Sequence, residues 1–396
     1  MNFLTDFPFS YGQKSSLLLI FFFHGIVFMV LSLYHGFRNN LSSSKWLSFL
    51  LFLGTLYITP YMLGYAGWYG DRNTREILFF IPFMQVFLIG PVVYFYLKSL
   101  LDNRFKIGKK EFVHFIPSIA YLFYSLVIFV TDKLILEEFY FYADGRDKDL
   151  ANCYQVTGLL SMAFYLMLSL RVYFAYRKMV FETTSYAESI LYRWIRNFII
   201  AFLSLLLLRV LLFILNPDWG EFGNQFWYYL CFAMVIFYIS LNGYSHIVKQ
   251  SILQNYLIAQ THDEEDETRK VDAPEIQPAA NIPNIEEWKF NLDKVIQEHL
   301  LYQNPKLTLA QVAEKMDSTP KMISTIVNSG HGMNFNDYIN RFRVDAVKQL
   351  IKSGRLESLT LLAIALESGF NSKATFNRAF KKHDGMTPKN YVDSIK

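Results

Sequence analysis

Charged residues are scarce in this sequence, and cysteine is nearly absent. Asp, Glu, Lys and Arg make up 18% of the 396 residues, whereas a soluble protein usually contains about 25%. The two cysteines, Cys153 and Cys231, are too few for a disulfide-stapled scaffold and belong to no CxxC or CxxxH metal pattern. A bridge between them is the alternative to two free thiols, which we favour. No HExxH, GxSxG, Walker or kinase signature occurs, so we expect no catalytic residue, no metal site and no cofactor.

The shortage of charge is confined to one part of the chain. Residues 1–260 are rich in Phe, Leu, Tyr and Ile, whereas residues 261–396 have the composition of an ordinary soluble domain. We predict an all-α fold with two physically different parts. Residues 1–260 would form a seven-span membrane bundle with a cytoplasmic helical extension, and residues 285–396 would form a seven-helix domain.

Seven apolar runs are long enough to cross the hydrocarbon core, which requires about 20 residues per helix. No Asp or Glu occurs in their central stretches. A buried helical core of a soluble protein is the alternative, but such cores rarely need seven uncharged helices of spanning length. The first run lacks a cleavage site, so we expect a retained span rather than a signal peptide. The predicted spans lie near residues 16–36, 46–66, 77–100, 112–131, 153–175, 195–216 and 226–245.

The loops between the spans differ in charge, and this difference predicts the orientation. Basic loops face the cytoplasm. Loops after the first, third and fifth spans carry the basic residues Arg38, Lys45, Arg104, Lys106, Lys109, Lys110, Arg177, Lys178 and Arg193. The 132–150 and 217–225 loops are acidic. The N-terminus is therefore expected outside and the C-terminus in the cytoplasm, with the chain as a multi-pass protein of a bacterial inner (cytoplasmic) membrane.

A few polar residues fall inside the predicted spans, and Arg209 is the most costly of them. An intramembrane arginine is a candidate functional site, here for an anionic ligand. The alternatives are that Arg209 extends to the headgroups or pairs with Asp218 or Glu221. His24, Gln85 and His114 are the other candidates for a ligand or signal site, although each alone is more often an interhelical hydrogen-bonding group.

We predict that the residues between the two parts form a linker. Residues 261–284 are acidic, contain proline and lack large apolar residues, which is typical of a flexible, disordered tether. Its root-mean-square reach is about 25–30 Å. A rigid push through such a tether is hard to sustain, so we expect signalling by proximity, homodimerisation or altered availability.

Local signals in residues 285–396 predict seven helices. Thr308 and Gln311 form a capping-box pattern, Thr319-Pro320 and Thr387-Pro388 mark helix starts, and Gly354 and Gly369 mark helix ends. A long amphipathic helix is expected near 335–353. Two helix-turn-helix units result, at about 308–329 and 360–382. The second helix of such a unit lies in the major groove of DNA.

The motif GF-x-S-x-x-TF-x-RAFKK-x-x-G-x-TP-x-x-Y, from Gly369 to Tyr391, resembles the DNA-binding domain of the AraC/XylS family of transcription regulators. The resemblance covers about 100 residues. It implies a monomeric domain in which a long helix joins the two helix-turn-helix units, and double-stranded DNA as the partner. The base-facing positions that it implies are Lys321, Ser324 and Thr325 in the first recognition helix and Lys373, Thr375 and Arg378 in the second.

The chemistry of these residues suits DNA. Arg378 and Lys373 can bond to guanine O6 and N7, and Thr375 can contact a base edge or a thymine methyl. Lys381 and Lys382 suit phosphates. The first unit departs from the family pattern, because Asp317 occupies a turn position where glycine is common and its recognition helix is poor in arginine. We therefore expect the second unit to carry most of the specificity.

The apolar part is similar to the seven-span sensor-like regions fused to such domains in some Bacteroidota proteins, through stretches such as FLIGPVVYFYLKSLL and HFIP. The sequence thus predicts a membrane-embedded, sequence-specific transcription regulator, with the lipid bilayer and an unknown small or lipophilic signal as further partners. The alternatives are a transporter or channel with a regulatory DNA-binding tail, an intramembrane enzyme, and a regulator released by proteolysis within residues 261–284.

Overall fold

A computed structural model describes residues 10–102, 105–143, 145, 147–187, 193–215, 225–261 and 284–395. Within these ranges every regular element is a helix, apart from one isolated antiparallel bridge between Thr184 and Thr308. The all-α fold class is therefore confirmed. Most of the linker predicted at 261–284 and of the acidic loop predicted at 217–225 lies outside the described residues.

By its internal packing the chain divides into two units. Met1–Val172 and Arg193–Asp266 form the N-terminal unit, whereas Tyr173–Tyr192 and Glu267–Lys396 form the C-terminal unit. The segment Tyr173–Tyr192 thus groups with the predicted DNA-binding domain, although the sequence-based boundaries placed it in the membrane bundle. The reason is a set of hydrogen bonds to buried residues of that domain, given below.

Among the described residues, eight helices begin in the N-terminal unit. Helix α5 follows a 3-10 turn at Glu111–Phe115 and continues into a π turn at Val130–Ile135. The residues of α6 from Tyr173 onwards belong to the C-terminal unit. The helices are α1 Gln13–Arg38, α2 Ser42–Tyr65, α3 Arg72–Leu78, α4 Val86–Leu101, α5 Ile116–Phe129, α6 Asn152–Thr183, α7 Arg193–Leu215 and α8 Phe226–Thr261.

In the part of the chain that the structure describes, six helical runs are long and apolar enough to cross a membrane: Gln13–Arg38, Ser42–Tyr65, Glu111–Ile135, Asn152–Thr183, Trp194–Leu212 and Phe226–Lys249. The third predicted span, 77–100, is shorter than the sequence indicated. Its helical part, α4, has 16 residues and a length of about 24 Å. The break before α4 contains Pro82, which has no backbone N–H and disfavours helical geometry in the preceding residue.

Small residues bring these helices close together. A Cβ atom on Gly25 of α1 would lie 2.3 Å from the Thr55 hydroxyl oxygen of α2, and one on Gly158 of α6 would lie 2.4 Å from Val86 of α4. Close approach through small residues is the usual way in which membrane helices pack.

Three acidic residues of the 132–150 segment are buried and accept hydrogen bonds. Both carboxylate oxygens of Asp132 accept from the Phe141 N–H, at 3.1 and 3.2 Å. Asp149 accepts from the Met84 N–H at 2.8 Å and from the Tyr121 hydroxyl, while Asp147 accepts from the Asp149 N–H at 3.0 Å. Burial raises the pKa of Asp149 to about 6, although its hydrogen bonds act in the opposite direction. Burial and the charge of Asp149 raise the pKa of Asp147.

The C-terminal unit contains the seven helices that the sequence predicts. Side-chain caps begin several of them, and Thr308 and Gln311 form the predicted capping box. Thr319 accepts from the Met322 N–H, as expected for a cap followed by proline. The helices are α9 Ile285–Glu298, α10 Leu309–Lys315, α11 Pro320–Thr325, α12 Phe335–Lys352, α13 Leu361–Glu367, α14 Lys373–Asp384 and α15 Pro388–Ile395.

Helix α12 connects two separate hydrophobic cores. Its first half contributes Phe335, Tyr338, Ile339 and Phe342 to a core with α9, α10 and α11. Its second half contributes Val344, Val347 and Ile351 to a core with α13, α14 and α15. Each helix-turn-helix therefore has its own core, and α12 joins the two.

The turns of the two helix-turn-helix units share one backbone feature. Asp317, two residues after α10, has φ +45°, and Gly369, two residues after α13, has φ +93°. Glycine adopts this left-handed region freely and aspartate tolerates it. Asp317, which departs from the family pattern, is thus compatible with the same turn.

Gly369 is the more constrained of the two positions. We expect Gly369→Ala to destabilise the second core by the cost of the left-handed backbone, about 1–2 kcal/mol, plus roughly 1–3 kcal/mol of overpacking. An added Cβ would lie 2.2 Å from the Tyr302 carbonyl oxygen. Gly385→Ala is the matched control, because Gly385 also has positive φ but open space around its Cβ position. Hydrogen exchange of α13 and α14 in the intact protein measures the difference, and equal protection in both variants would contradict it.

The carboxyl of Asp149 predicts a pH-dependent stability of the N-terminal unit. The folded protein retains this proton up to about pH 6, whereas the unfolded chain releases it near pH 3.8. Between these values the folded state binds more protons, so the free energy of unfolding falls as the pH rises. Asp149→Asn should make this decline shallower, and Glu138→Gln, at an exposed position, should not. The check is the thermal midpoint of the detergent-solubilised protein from pH 4 to 7; identical profiles for Asp149→Asn and the parent would refute the assignment.

Candidate nucleic-acid interface

The second helix-turn-helix presents a polar face. Helix α13 begins at the Thr360 cap and α14 at the Ser372 cap. Phe376, Ala379 and Phe380 of α14 are buried in the second core. Helical periodicity therefore turns the opposite side of α14 to solvent. The exposed residues on that side are Lys373, Ala374, Asn377, Arg378 and Lys381.

Most of the residues predicted in the second recognition helix are exposed. Lys373, Arg378, Lys381 and Lys382 reach solvent. Thr375 differs from the prediction, because its side chain is 5% exposed and its hydroxyl lies 2.9 Å from that of Ser372. Thr375 thus stabilises the start of α14, and its contact with a base stays a prediction.

Sequence reasoning missed Asn377, which lies on the exposed side of α14. An asparagine there has the donor and acceptor geometry for adenine N6 and N7. The helical phase set by Phe376 and Phe380 was the signal that could have identified it, since residue 377 lies about 100° and 60° around the helix axis from these two rings and so at the edge of the exposed face.

The titratable residues of α14 differ in how much positive charge they can offer to DNA. Partial burial and the nearby charge of Arg177 lower the pKa of Arg378. Lys382 donates to Asp337 of α12 at 2.5 Å, so part of its charge is neutralised. Burial lowers the pKa of His383, which leaves this ring uncharged at neutral pH.

The first helix-turn-helix offers a weaker interface. Lys321 of α11 is exposed, whereas Ser324 and Thr325 are half-buried. The Thr325 hydroxyl donates to the Lys321 carbonyl at 2.9 Å, and the Asn328 amide donates to the Ser324 hydroxyl at 3.2 Å. Two of the three predicted side chains thus already have local hydrogen bonds, and Lys321 is the one cation among them.

A buried arginine in α12 forms hydrogen bonds to several segments of the C-terminal unit. Arg343, which is 1% exposed, donates to the carbonyls of Tyr302 and Asn304, both at 2.8 Å. It also donates to the Ser185 carbonyl at 3.0 Å, to the Ser185 hydroxyl at 2.9 Å and to Asn340 at 3.1 Å. Burial lowers the pKa of Arg343 to about 10, so the group remains charged at neutral pH. No sequence pattern indicated this role.

Arg209, the first of the predicted polar candidates of the N-terminal unit, belongs to α7 and is buried. Its guanidinium donates to the Gln155 side chain at 3.0 Å and lies 4.6 Å from the centre of the Tyr228 ring. Gln155 in turn donates to the Asp149 carbonyl at 2.6 Å. The alternative partners, Asp218 and Glu221, lie outside the described residues.

His24, Gln85 and His114 each bond to a neighbouring helix. His24 lies 2.6 Å from the Ser240 hydroxyl, and His114 lies 2.8 Å from the Tyr165 hydroxyl. Gln85 accepts from Ser118 at 3.3 Å. The residue before Gln85 in the chain is Met84, whose sulfur accepts from Gln155 at 3.5 Å. The Gln155 side chain is also the one that accepts from Arg209. The two histidines have separate partners.

The N-terminal unit also contains an apolar cavity that sequence reasoning missed. Its volume is about 820 Å³. An ion pair between Lys133 and Glu76, at 2.8 Å, lies on its wall. The apolar lining consists of Ile77, Phe80, Ile81, Leu122, Leu126 and Phe129.

Comparisons with known proteins match the C-terminal part of the chain. A helix-turn-helix domain family matches residues 312–394. The chain is 30% identical over 97 residues to the probable transcription factor PqrA of Proteus vulgaris, which covers 24% of this chain and 77% of that protein. It is 28% identical over 100 residues to the probable transcriptional regulator LumQ of Photobacterium leiognathi, which covers 25% of this chain and 38% of the relative.

A third relative is the uncharacterized HTH-type transcriptional regulator YtdP of Bacillus subtilis, 26% identical over 107 residues. That match covers 26% of this chain and only 13% of the relative's length. No solved structure matches the chain. The match to PqrA extends over most of that protein, and the two helix-turn-helix units and their connecting helix have the predicted arrangement. The chain therefore belongs to the AraC/XylS family of transcription regulators, whose helix-turn-helix DNA-binding domain it carries.

Proposed function

We propose that this chain is a membrane-embedded transcription regulator that binds a specific promoter sequence through helix α14. The exposed face of α14, with Lys373, Asn377, Arg378 and Lys381 on one side, is the observation that carries the proposal. This face supplies donors suited to bases at its N-terminal end and a cation suited to a phosphate further along. The first helix-turn-helix, with Lys321, Ser324 and Thr325, positions the domain on the adjacent groove.

Two observations support membrane embedding. Six helical runs have the length and hydropathy of membrane spans. Large apolar side chains on them are exposed, for example Phe23 at 60%, Phe123 at 66% and Leu207 at 57%, and soluble proteins rarely expose such extensive apolar surface. The basic loops then assign the C-terminus to the cytoplasm of a bacterial inner membrane. A reporter fused after Lys396 that was active only outside the cytoplasm would refute this orientation.

The signal in this proposal is a small or lipophilic molecule sensed by the N-terminal unit. The apolar cavity between α3 and α5 has room for one, and the buried guanidinium of Arg209 is the alternative for an anionic molecule. Photolabelling with a lipophilic probe that spared α3 and α5 would count against the cavity. Homodimerisation remains our proposal for how the signal reaches DNA, because the acidic tether at 261–284 would transmit force poorly. The alternative route is α6, which begins in the N-terminal unit and ends in the C-terminal unit.

Substitutions in α14 distinguish residues that contact bases from residues that contact phosphates. Arg378→Ala should cost about 1–3 kcal/mol of operator binding and relax the preference at one base pair. Asn377→Ala should do the same at a neighbouring position. The measurement is the affinity of the intact protein in nanodiscs for duplexes selected from a random library, together with chromatin occupancy in cells. Unchanged occupancy with Arg378→Ala would show that the recognition helix is assigned wrongly.

Lys381 should behave differently. Lys381→Ala should weaken binding to all duplexes alike and reduce the slope of log affinity against log salt by about 1, because a phosphate contact is lost. Lys294→Ala, which removes a charge paired with Glu298 on α9, is the control and should leave the slope unchanged. A change of base preference with Lys381→Ala would contradict its assignment to phosphate.

A further inference from the structure

The end of helix α6 is built into the C-terminal unit. Beyond Thr183 the chain runs antiparallel to the segment before α10, where the Ser185 N–H donates to the Leu307 carbonyl at 3.0 Å. The Asn336 amide donates to the Thr184 carbonyl at 3.4 Å. Ser185 and Ala187 are fully buried. Together with the two bonds from Arg343 to Ser185, these contacts make the segment a structural part of the DNA-binding unit.

This anchoring brings two basic residues of α6 beside the second recognition helix. Arg177 and Lys178 line a cavity of about 570 Å³ together with Arg378 and Lys382 of α14. Both α6 residues are exposed. The cavity therefore combines cations from two parts of the sequence that are about 200 residues apart.

The charge of this cavity is unbalanced. Its lining contains four basic side chains and two acidic ones, Glu182 and Asp337. Each acidic residue already forms an ion pair, Glu182 with Lys178 at 3.8 Å and Asp337 with Lys382 at 2.5 Å. The formal charges of these six lining residues sum to about +2, and such a field attracts anions.

The guanidinium groups of Arg177 and Arg378 both line the cavity. They lie close enough to influence each other, since the charge of Arg177 contributes to the lowered pKa of Arg378. An anion between them would relieve this repulsion. Guanidinium groups bind phosphate oxygens in a bidentate manner and are preferred in proteins for that purpose.

We propose that this cavity binds a phosphate of the DNA backbone next to the base pairs that α14 reads, so that Arg177 and Lys178 extend the DNA interface. The inference rests on the proposed function. The same chemistry would suit a free phosphorylated molecule, and the experiment distinguishes the two sources.

The test uses the intact protein in nanodiscs and the duplex of highest affinity from the library selection. Arg177→Gln and Lys178→Gln are made singly and together, and operator affinity is measured across a range of salt concentrations. The double variant should lose affinity roughly ten-fold at low salt, as expected for a charge-assisted contact. Its salt slope should fall by about 0.9 for one phosphate contact, with base preference retained. Lys294→Gln removes a charge elsewhere in the unit and should change neither quantity.

Three outcomes would overturn the inference. The first is a salt slope that is unchanged in the double variant while binding remains sensitive to Arg378→Ala. This result would contradict the phosphate site and leave the proposed function intact. Tighter binding by the double variant would mean that the end of α6 competes with DNA. If inorganic phosphate at constant ionic strength raised the thermal midpoint of the parent but not of the double variant, and the DNA slope stayed the same, the cavity would serve a free phosphorylated molecule. Absence of any selected duplex for the parent would instead refute the proposed function itself.

Discussion

The buried guanidinium of Arg343 is the interaction on which the C-terminal unit depends. A charge removed from water is costly unless hydrogen bonds replace the lost hydration. Here carbonyl, amide and hydroxyl oxygens from three segments do so. One acceptor, the Tyr302 carbonyl, is also the group against which Gly369 packs. Arg343 thus links the connector helix, the turn before α10, the turn of the second helix-turn-helix and the end of α6.

This junction changes how the two parts of the chain can be connected. From the sequence, the acidic tether at 261–284 is the sole connection between the apolar and the polar part. The structure adds a second covalent connection, because α6 begins in the N-terminal unit and its last residues belong to the C-terminal one. The C-terminal unit is therefore assembled from two separate stretches of the sequence, Tyr173–Tyr192 and Glu267–Lys396.

Local patterns predicted the C-terminal helices closely. Caps at Thr308, Thr319, Thr360 and Ser372 begin helices where expected, because a cap acts on N–H groups only two or three residues away. The third span was the exception in the apolar part, since a hydropathy pattern does not register the break around Pro82. Thr375 is buried and Asn377 is exposed for a related reason: family resemblance assigned positions in the motif, but the packing of Phe376 and Phe380 set the phase of α14.

Composition, periodicity and capping act over a few residues, so the sequence was sufficient for the fold class, the division into an apolar and a polar part, the starts of the capped C-terminal helices and the family resemblance. The packed fold was needed to show that Arg343 is buried and bonded to several segments, that Asp132, Asp147 and Asp149 are buried, and that Arg177 and Lys178 lie beside Arg378. These features join residues that are tens to hundreds of positions apart. Their energies arise from burial and from hydrogen bonds between distant segments, which no local pattern in the chain encodes.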